Sequence, residues 1–284
     1  MMDARKAADI LNRAAQLNTD DELLEGSLLV FPNYGQLVMT GDLHGHRRNF
    51  EKLKRYCDLE RFRPRHVVLH EIIHEDVEGL DDVDNSFEAL IEAAQWKCDF
   101  PDQVHFLQSN HELAQLTRHE ITKGGRVVTV AFEEAVHAAF GRGADAVLEG
   151  VNEYIRSLPL AGRTDNRIFL SHSLPSPRDL PAFDATVLTR TPTADDFCER
   201  GSAHALVWGR YHTAHALDVL REMLDVDLFI CGHQPQEMGY DIWHDRLIIL
   251  ASDHNHGVFL PFDLSKPHTI DTLTQNIRPF AGIQ

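Results

Sequence analysis

One arrangement recurs along this chain: a short apolar run that ends directly in residues able to bind a metal ion. In its first occurrence, the run Leu37-Val38-Met39 leads into Gly41-Asp42-Leu43-His44-Gly45. A short apolar run bounded by turn residues predicts a buried β-strand, and the two glycines allow a sharp turn where that strand ends. Asp42 and His44 can therefore direct an oxygen and a nitrogen at one point, as the ligands of a transition metal do.

Three further blocks repeat this arrangement. Short apolar runs also lead into Ser109-Asn110-His111-Glu112, into Ser171-His172-Ser173 and into Cys231-Gly232-His233. A lone Asp-x-His pair is usually a solvated turn. Four blocks of one kind are instead typical of a shared site, and together they predict that this chain binds a metal.

The composition is that of a soluble globular protein, with 43% hydrophobic and 25% charged residues among 284. The formal charge of −17 disfavours nonspecific binding to nucleic acid or to an anionic membrane, which needs a basic face. No apolar run reaches the roughly 20 residues that span a bilayer, and the N-terminal region lacks the apolar core of a signal peptide. We therefore expect a cytoplasmic protein. The four cysteines form no CxxC pair, which indicates neither a disulfide framework nor a zinc knuckle.

The hydrophobic pattern predicts alternating strands and helices, which favours an α/β fold in α+β-like layers with helices covering the sheets. Strands are expected near residues 27–31, 36–40, 66–69, 103–108, 167–171, 204–208, 227–231, 246–251 and 256–261. Helices are expected near residues 4–17, 49–59, 87–97, 111–119 and 212–224. Residues 132–158 predict two helices without a site residue, and prolines make residues 174–192 a long loop.

Taken in order, the blocks resemble those of the calcineurin-like metallophosphoesterases, in particular the branch of phosphoprotein phosphatases and diadenosine tetraphosphatases. The resemblance covers about residues 37–260. It implies a β-sandwich flanked by helices, two metal ions at the strand ends, and hydrolysis of phosphate esters. Residues 1–26 would then form an N-terminal helix, followed by a metallophosphoesterase domain at 27–284 with a helical insertion at about 120–160.

The second block of that family, normally Gly-Asp-x-x-Asp-Arg-Gly, is altered in this chain. Its position is held by His70-Glu71-Ile72-Ile73-His74-Glu75. Glu71 then stands for the Asp that bridges the two metals, and His74 and Glu75 replace the second Asp and the Arg. Glu71 directly follows a predicted strand and lies 29 residues after Asp42, which suits one βαβ unit of roughly 30 residues.

Two other interpretations of this region are open. The segment Asp81-Asp82-Val83-Asp84 keeps the D-x-x-D spacing, so Asp81 is an alternative bridge, although it would lie in an inserted loop. Residues 70–74 also match the H-E-x-x-H signature of zinc proteases, which requires both histidines on one face of a helix. The preceding residues 65–69 lack a helix start signal, which favours a strand and the phosphoesterase alignment.

The resemblance also assigns ligands to the two metal ions, which we expect to be manganese, iron or zinc. Asp42 and His44 would hold the first ion, with Glu71 as the bridge. Ligands that complete the second ion would be Asn110, His172 and His233. Two ions roughly 3.5–4 Å apart can hold a shared hydroxide and clamp phosphoryl oxygens during in-line attack.

His111, next to Asn110 in the sequence, is the expected general acid that protonates the leaving oxygen. A histidine in this role needs a pKa near the working pH, and a carboxylate partner is the usual means. The family provides this partner from the second Asp of the altered block. That position is His74 here, so Asp84 and Glu112 are the alternative partners.

Phosphate binding also requires cationic donors. We expect Arg210 to act in substrate binding and catalysis, because the segment Val207-Trp208-Gly209-Arg210 resembles a loop of the family that carries an Arg. Arg47 and His74 are further candidates for substrate binding. The expected partner is a phosphorylated substrate, and neither a nucleic acid polymer nor a membrane is expected; the oligomeric state is left open.

The leading interpretation is a metal-dependent phosphoesterase. Its substrate would be a phosphomonoester, either a phosphoprotein or a small molecule, or a nucleotide phosphoanhydride. The altered second block motivates a second hypothesis from another class: a catalytically weakened protein that binds metal or phosphate for regulation.

Overall fold

The computed structural model describes residues 3–75 and 83–283. Asp81, the alternative bridging residue, lies outside the described residues. The strands are β1 Leu24–Glu25, β2 Leu28–Phe31, β3 Gln36–Thr40, β4 Arg65–Leu69, β5 Val104–Phe106, β6 Thr122–Lys123, β7 Arg126–Val127, β8 Ala161–Thr164, β9 Ile168–Ser171, β10 Leu228–Cys231, β11 Tyr240–Trp243, β12 Leu247–Leu250, β13 Val258–Asp263 and β14 Arg278–Pro279. The α-helices are α1 Ala4–Thr19, α2 Arg47–Cys57, α3 Ser86–Asp99, α4 Asn110–Thr117, α5 Val128–Phe140, α6 Ala144–Arg156, α7 Ser202–Trp208, α8 Ala214–Leu224 and α9 Ile270–Thr274.

Most of the strands belong to two sheets. One has the strand order β1-β2-β8-β9-β10-β12-β11, and the other has the order β14-β13-β3-β4-β5. Within them, β3, β4 and β5 run parallel to one another, and so do β9, β10 and β12. Ligands bind outside the carboxyl ends of parallel strands, so we expect a site in the loops that follow these strands.

Side chains along these strands alternate between two apolar surroundings. In β3, Leu37 and Met39 belong to a buried cluster that includes Ile168 and Leu170 of β9, whereas Val38 belongs to a cluster formed largely by helices. Strands covered on both faces have no polar side, which explains why these runs are apolar throughout. The two sheets therefore face each other with helices on their outer surfaces. This arrangement confirms the expected α/β fold, a sandwich flanked by helices.

The segment that follows α1 is fixed to the core by a buried ionic network. Asp21 accepts hydrogen bonds from Lys97 of α3 at 2.8 Å and from His105 of β5 at 2.9 Å. The side chain of Lys97 is fully buried. A buried cation requires an anionic partner, so this network fixes where the chain passes from α1 to the sheets.

The predicted strand at residues 204–208 was wrong, because these residues belong to α7. The apolar side chains of Ala203, Leu206 and Val207 recur at helical spacing and are all buried. A short apolar run of this kind suits either a strand or a helix, and only its packing against the rest of the fold decides which one forms.

The interval 120–160 contains a β-hairpin in addition to the expected helices α5 and α6. Lys123 of β6 is paired with Arg126 of β7, so Gly124 and Gly125 form a two-residue turn. Both glycines have positive φ, 57° and 80°, as the tight turns of such hairpins require. Within the described residues, no helix is both long enough and apolar enough to cross a bilayer.

Candidate metal centre

Loops from both sheets bring the predicted ligands together at the carboxyl ends of five strands. The six residues are Asp42 and His44 after β3, Glu71 after β4, Asn110 after β5, His172 after β9 and His233 after β10. Each of them is at most 7% exposed. In the described part of the chain, three groups can hold a metal ion: Asp42 with His70 and His172, His44 with Glu71 and His111, and Glu71 with His172 and His233.

Glu71 stands between two of these groups, with one oxygen in each. Its Oε1 lies 3.0 Å from Nε2 of His44, and its Oε2 lies 3.0 Å from Nε2 of His172. Within the described residues, Oε2 is buried and makes no hydrogen bond. When the imidazole is neutral, a carboxylate oxygen and a ring nitrogen at this distance present their lone pairs to a common point, as two ligands of one cation do.

The group that contains Glu71, His172 and His233 is centred on His172. Its Nε2 lies 2.7 Å from Oδ1 of Asn110 and 3.0 Å from Nδ1 of His233. Asn110 is the first residue of α4, which Ser109 caps by accepting a hydrogen bond from the Glu112 amide. This mixture of carboxylate, imidazole and amide donors fits manganese, iron or zinc.

Asp42 is held by the backbone of the last block and adjoins a histidine that sequence reasoning did not assign. Its Oδ1 accepts a hydrogen bond from the His233 amide at 2.8 Å and lies 3.5 Å from Nδ1 of His70. His70 occupies the position of the family's first glycine in the altered block. This substitution could have indicated His70 from the sequence alone, because an imidazole stands at a strand end where the family has a glycine.

The orientation of His44 is also fixed by a contact outside the ligand groups. Its Nδ1 donates a hydrogen bond to the carbonyl oxygen of Ile73 at 3.1 Å. In the neutral ring, the lone pair then lies on Nε2, which faces Glu71. Metal-binding histidines commonly donate their second ring nitrogen to a carbonyl or a carboxylate in this way.

The two carboxylates share one buried cluster, and their pKa values shift in opposite directions. Burial and the charge of Glu71 raise the pKa of Asp42 to about 7. Burial also opposes ionisation of Glu71, but the charges of neighbouring histidines, His172 foremost, hold the pKa of Glu71 well below its usual value. A bound cation removes the repulsion between the two carboxylates, which is an electrostatic reason for a metal here.

Several site residues have strained backbone conformations. His44, Glu71 and His233 have φ values of 42°, 48° and 69°. Non-glycine residues in the left-handed region cost on the order of 1–3 kcal/mol each and concentrate at functional sites. Gly232 is required for a different reason: a Cβ there would lie 2.3 Å from Oδ1 of Asp42, so any side chain would displace that carboxylate.

His111, the expected general acid, is linked to a chain of hydrogen bonds. Its Nδ1 lies 2.9 Å from Nδ1 of His74, and Nε2 of His74 lies 2.9 Å from Oε1 of Gln115. The amide nitrogen of Gln115 donates to Glu133 of α5 at 3.3 Å, which leaves its oxygen to accept from His74. The direction of each hydrogen bond follows from this. His74 donates from Nε2 to Gln115 and accepts at Nδ1 from His111. Nε2 of His111 then keeps its lone pair.

The structure bears on three expectations, two about the altered block and one about the helical insertion. His74 is fully buried and contacts His111, so its position suits a partner of His111 better than a group that contacts substrate. Asp84 accepts from the Ser86 amide, and Glu112 accepts from the Ile72 amide, so neither contacts His111 in its predicted role. The helices at 132–158 were also expected to lack a site residue, yet α5 contributes Glu133 to this chain.

The zinc-protease interpretation was wrong. Residues 70–74 are not helical, and His74 has a φ of 65°. His70 contacts His172, whereas His74 contacts His111, so the two histidines of the H-E-x-x-H match face different groups.

Two cations flank the cluster, and one of them was not predicted. Arg210 is exposed, and its charge contributes, after burial and His172, to the lowered pKa of His233. The second cation is Lys123, whose Nζ lies 3.4 Å from Nε2 of His44. Arg47, expected in substrate binding, is paired with Glu88 at 2.6 Å.

A cleft of about 650 Å³ lies beside the cluster, between α4 and the segment that leads into α7. Aromatic rings dominate one wall. The ring of Trp208 stacks on His204, with centroids 5.7 Å apart, and meets the ring of His233 edge to face at 6.4 Å. Phe197 and the α4 residues Leu113 and Ala114 also line the cleft, together with polar residues that include Arg118 and Glu199.

Comparisons of the sequence and of the fold with known proteins find similar phosphatases. In sequence, the chain is 24% identical over 205 residues to serine/threonine-protein phosphatase 5 of Solanum lycopersicum, a match covering 63% of this chain and 34% of that protein. The chain thus spans about a third of the length of this curated relative.

Solved structures with low sequence identity share the fold. A protein serine/threonine phosphatase from Saccharomyces cerevisiae matches with a TM-score of 0.68 at 15% identity, over 99% of this chain and 94% of that chain. A cold-active protein-tyrosine phosphatase of a Shewanella species matches with a TM-score of 0.57 at 16% identity, over 90% of this chain and 82% of that chain.

A family model provides the assignment. The description of the model is calcineurin-like phosphoesterase, and it matches residues 36–237, well over half of the chain. This chain therefore belongs to the calcineurin-like phosphoesterase family.

Proposed function

We propose that this protein hydrolyses a phosphomonoester at a centre of two metal ions bridged by Glu71. The observation that carries the proposal is the position of this carboxylate. Its two oxygens face different histidines, His44 and His172, at 3.0 Å each. A single carboxylate shared by two ligand groups is the arrangement that a bridged pair of metals needs.

The remaining ligands divide between the two positions. Asp42 and His44 would hold one ion, and Asn110, His172 and His233 would hold the other. When bound, two such ions activate water as a nucleophile and stabilise the negative charge of the phosphoryl oxygens. Manganese, iron and zinc all suit this donor set.

His111 would exchange a proton with the leaving oxygen. Its Nε2 lies 3.9 Å from Oε1 of Glu71, at the edge of the bridged position. Because His74 accepts from its Nδ1, His111 can gain or give a proton at Nε2 without rearrangement of that hydrogen bond. An imidazole partner thus takes the place of the family's carboxylate.

Substrate binding would depend on the two flanking cations and the cleft. Arg210, near His233, and Lys123, beside His44, both place positive charge at the ligand groups, which suits binding of a phosphoryl group. The cleft beside Trp208 would take the group to which the phosphate is attached. Its aromatic wall suits a side chain or a ring, as in a phosphorylated peptide or a small aryl phosphate.

Hydrolysis of p-nitrophenyl phosphate with added Mn²⁺ tests the proposal. We expect Glu71→Gln to lose both bound metal and activity, and His111→Ala to keep the metal while kcat falls about 10²–10⁴-fold. Exposed residues provide matched controls, Glu149→Gln for the first variant and His137→Ala for the second.

The same assay can refute the proposal. If the wild-type chain bound Mn²⁺ but gave no metal-dependent turnover with aryl phosphates or phosphopeptides, the result would favour a regulatory protein that binds metal. The altered second block is the observation that motivates this second hypothesis.

A further inference from the structure

His70 belongs to the altered block but has no role in the proposed function. Its side chain is 1% exposed, and both ring nitrogens have partners. Nε2 lies 2.9 Å from the carbonyl oxygen of Thr40, and Nδ1 lies 2.9 Å from Nδ1 of His172. Both contacts are short enough for hydrogen bonds, so each needs one donor and one acceptor.

The carbonyl of Thr40 determines where the protons lie. A carbonyl oxygen can only accept, so the hydrogen of His70 must be on Nε2. A neutral His70 then has a lone pair on Nδ1 and accepts from His172. The proton of His172 is therefore on its Nδ1, and its Nε2 presents a lone pair toward Glu71, Asn110 and His233.

We propose that His70 is a positioning residue that fixes His172 in the tautomer and orientation needed to bind metal through Nε2. This inference rests on the metal centre of the proposed function. Partners of this kind orient ligand histidines and raise their basicity. The family has a glycine at the position of His70, and a glycine has no side chain with which to make either hydrogen bond.

The packing around His70 holds its ring in one orientation, as a positioning role requires. A Cβ on Gly232 would lie 2.4 Å from Cε1 of His70, so the backbone of the last block lies directly against the imidazole. The ring is confined between this backbone and Thr40. It cannot turn Nδ1 away from His172 without a clash or the loss of its own donor bond.

A competing role is that of a direct ligand, since Nδ1 of His70 also lies 3.5 Å from Oδ1 of Asp42. The two roles exclude each other, because both use the single lone pair on Nδ1. Nitrogen-15 spectra of the histidine rings in the full chain loaded with ¹¹³Cd²⁺ distinguish them. We expect a cadmium–nitrogen coupling at Nε2 of His172, none on His70, and a proton on Nε2 of His70.

A pair of variants measures the effect on metal binding. His70→Gln keeps an acceptor and a donor at the end of the side chain, whereas His70→Ala removes both. We expect two metals per chain in each case, with the affinity for one of them about 10–100-fold weaker in His70→Ala. His70→Gln should remain within a few-fold of wild type, as measured by competition with a chelating dye.

Three outcomes would overturn this inference: cadmium coupled to His70, the loss of one full metal equivalent in both variants, or wild-type affinity in His70→Ala. The spectra use the wild-type chain and therefore decide the question even if His70→Ala fails to fold. None of these readouts requires turnover. A chain that binds both metals but hydrolyses nothing would refute the proposed function and leave the result on His70 intact.

Discussion

The hydrogen-bond chain behind His111 can be tested by removing its third member. In Gln115→Leu, the Nε2 hydrogen of His74 loses its acceptor in a fully buried position. A buried donor without a partner costs about 1–3 kcal/mol. His74 can avoid this cost by moving its proton to Nδ1, which then donates to His111 and transfers the proton of His111 to Nε2.

The magnitude follows from this cost. Since each 1.36 kcal/mol is a factor of ten, about 1–3 kcal/mol changes the ratio of the two tautomers about 5- to 160-fold. In this arrangement Nδ1 of His111 accepts from His74, so His111 cannot carry protons on both nitrogens and cannot form the imidazolium that a general acid needs. We therefore expect kcat for p-nitrophenyl phosphate with saturating Mn²⁺ to fall by about the same factor.

The control for this change is a glutamine outside the site. Gln95 of α3 is hydrogen-bonded to Asp99 at 2.8 Å on the exposed side of the helix, so Gln95→Leu makes the same replacement without affecting the chain behind His111. Metal content must be measured in both variants, because loss of metal would also lower kcat. If Gln115→Leu kept its metal and a kcat within twofold of Gln95→Leu, the proton arrangement argued for His74 and His111 would be refuted.

Three further predictions concern substrate binding, stability and metal removal. Lys123→Met should raise KM for p-nitrophenyl phosphate about 10- to 100-fold, because a charged hydrogen bond contributes about 1.5–3 kcal/mol. The KM of the control variant Lys123→Arg should stay near that of wild type. An unchanged KM in Lys123→Met would exclude Lys123 from phosphate binding. Asp21→Asn should lower the free energy of unfolding in urea by about 3–5 kcal/mol at pH 7, because it leaves Lys97 as a buried charge without its partner. The pKa of Asp21 is held well below its ordinary value of 3.8 by His105 and Lys97, which outweigh burial, so this contribution is fully present above about pH 4 and declines as the pH falls toward the lowered pKa. A difference between variant and wild type that did not shrink between about pH 5 and pH 2 would contradict this account. Chelation of the metal should lower Tm, and Mn²⁺ at 100 times its Kd should restore about 2.7 kcal/mol of stability; a Tm that is insensitive to chelation and to added Mn²⁺ would count against the metal centre.

The predicted ligands came together in the structure because each follows an apolar run that becomes a strand. Runs covered on both faces read as continuous apolar segments, so the strands that precede Asp42, Glu71 and His233 were recognisable from local sequence. Glu71 was favoured over Asp81 by the same reasoning, since it directly follows such a run. The described residues support that choice through the contacts of Glu71 with His44 and His172.

Partners brought together from distant parts of the chain were not predictable in the same way. His70 and His172 are 102 residues apart, and Lys123 and His44 are 79 residues apart. Nothing local in the sequence specifies these contacts, because they depend on how the two sheets pack and on where a hairpin turn directs a lysine. The predicted strand at residues 204–208 failed for a related reason: a short apolar run suits a helix or a strand, and packing decides which forms.

The sequence by itself predicted the fold class, the six candidate ligands and the alteration of the second block, because strand periodicity and ligand chemistry are local properties. Only the tertiary structure decided what that alteration does. Glu71 extends one oxygen toward each ligand group, His74 is a buried partner of His111, and Nδ1 of His70 lies 2.9 Å from Nδ1 of His172. A histidine's role depends on which atom meets each ring nitrogen, and folding alone determines those partners.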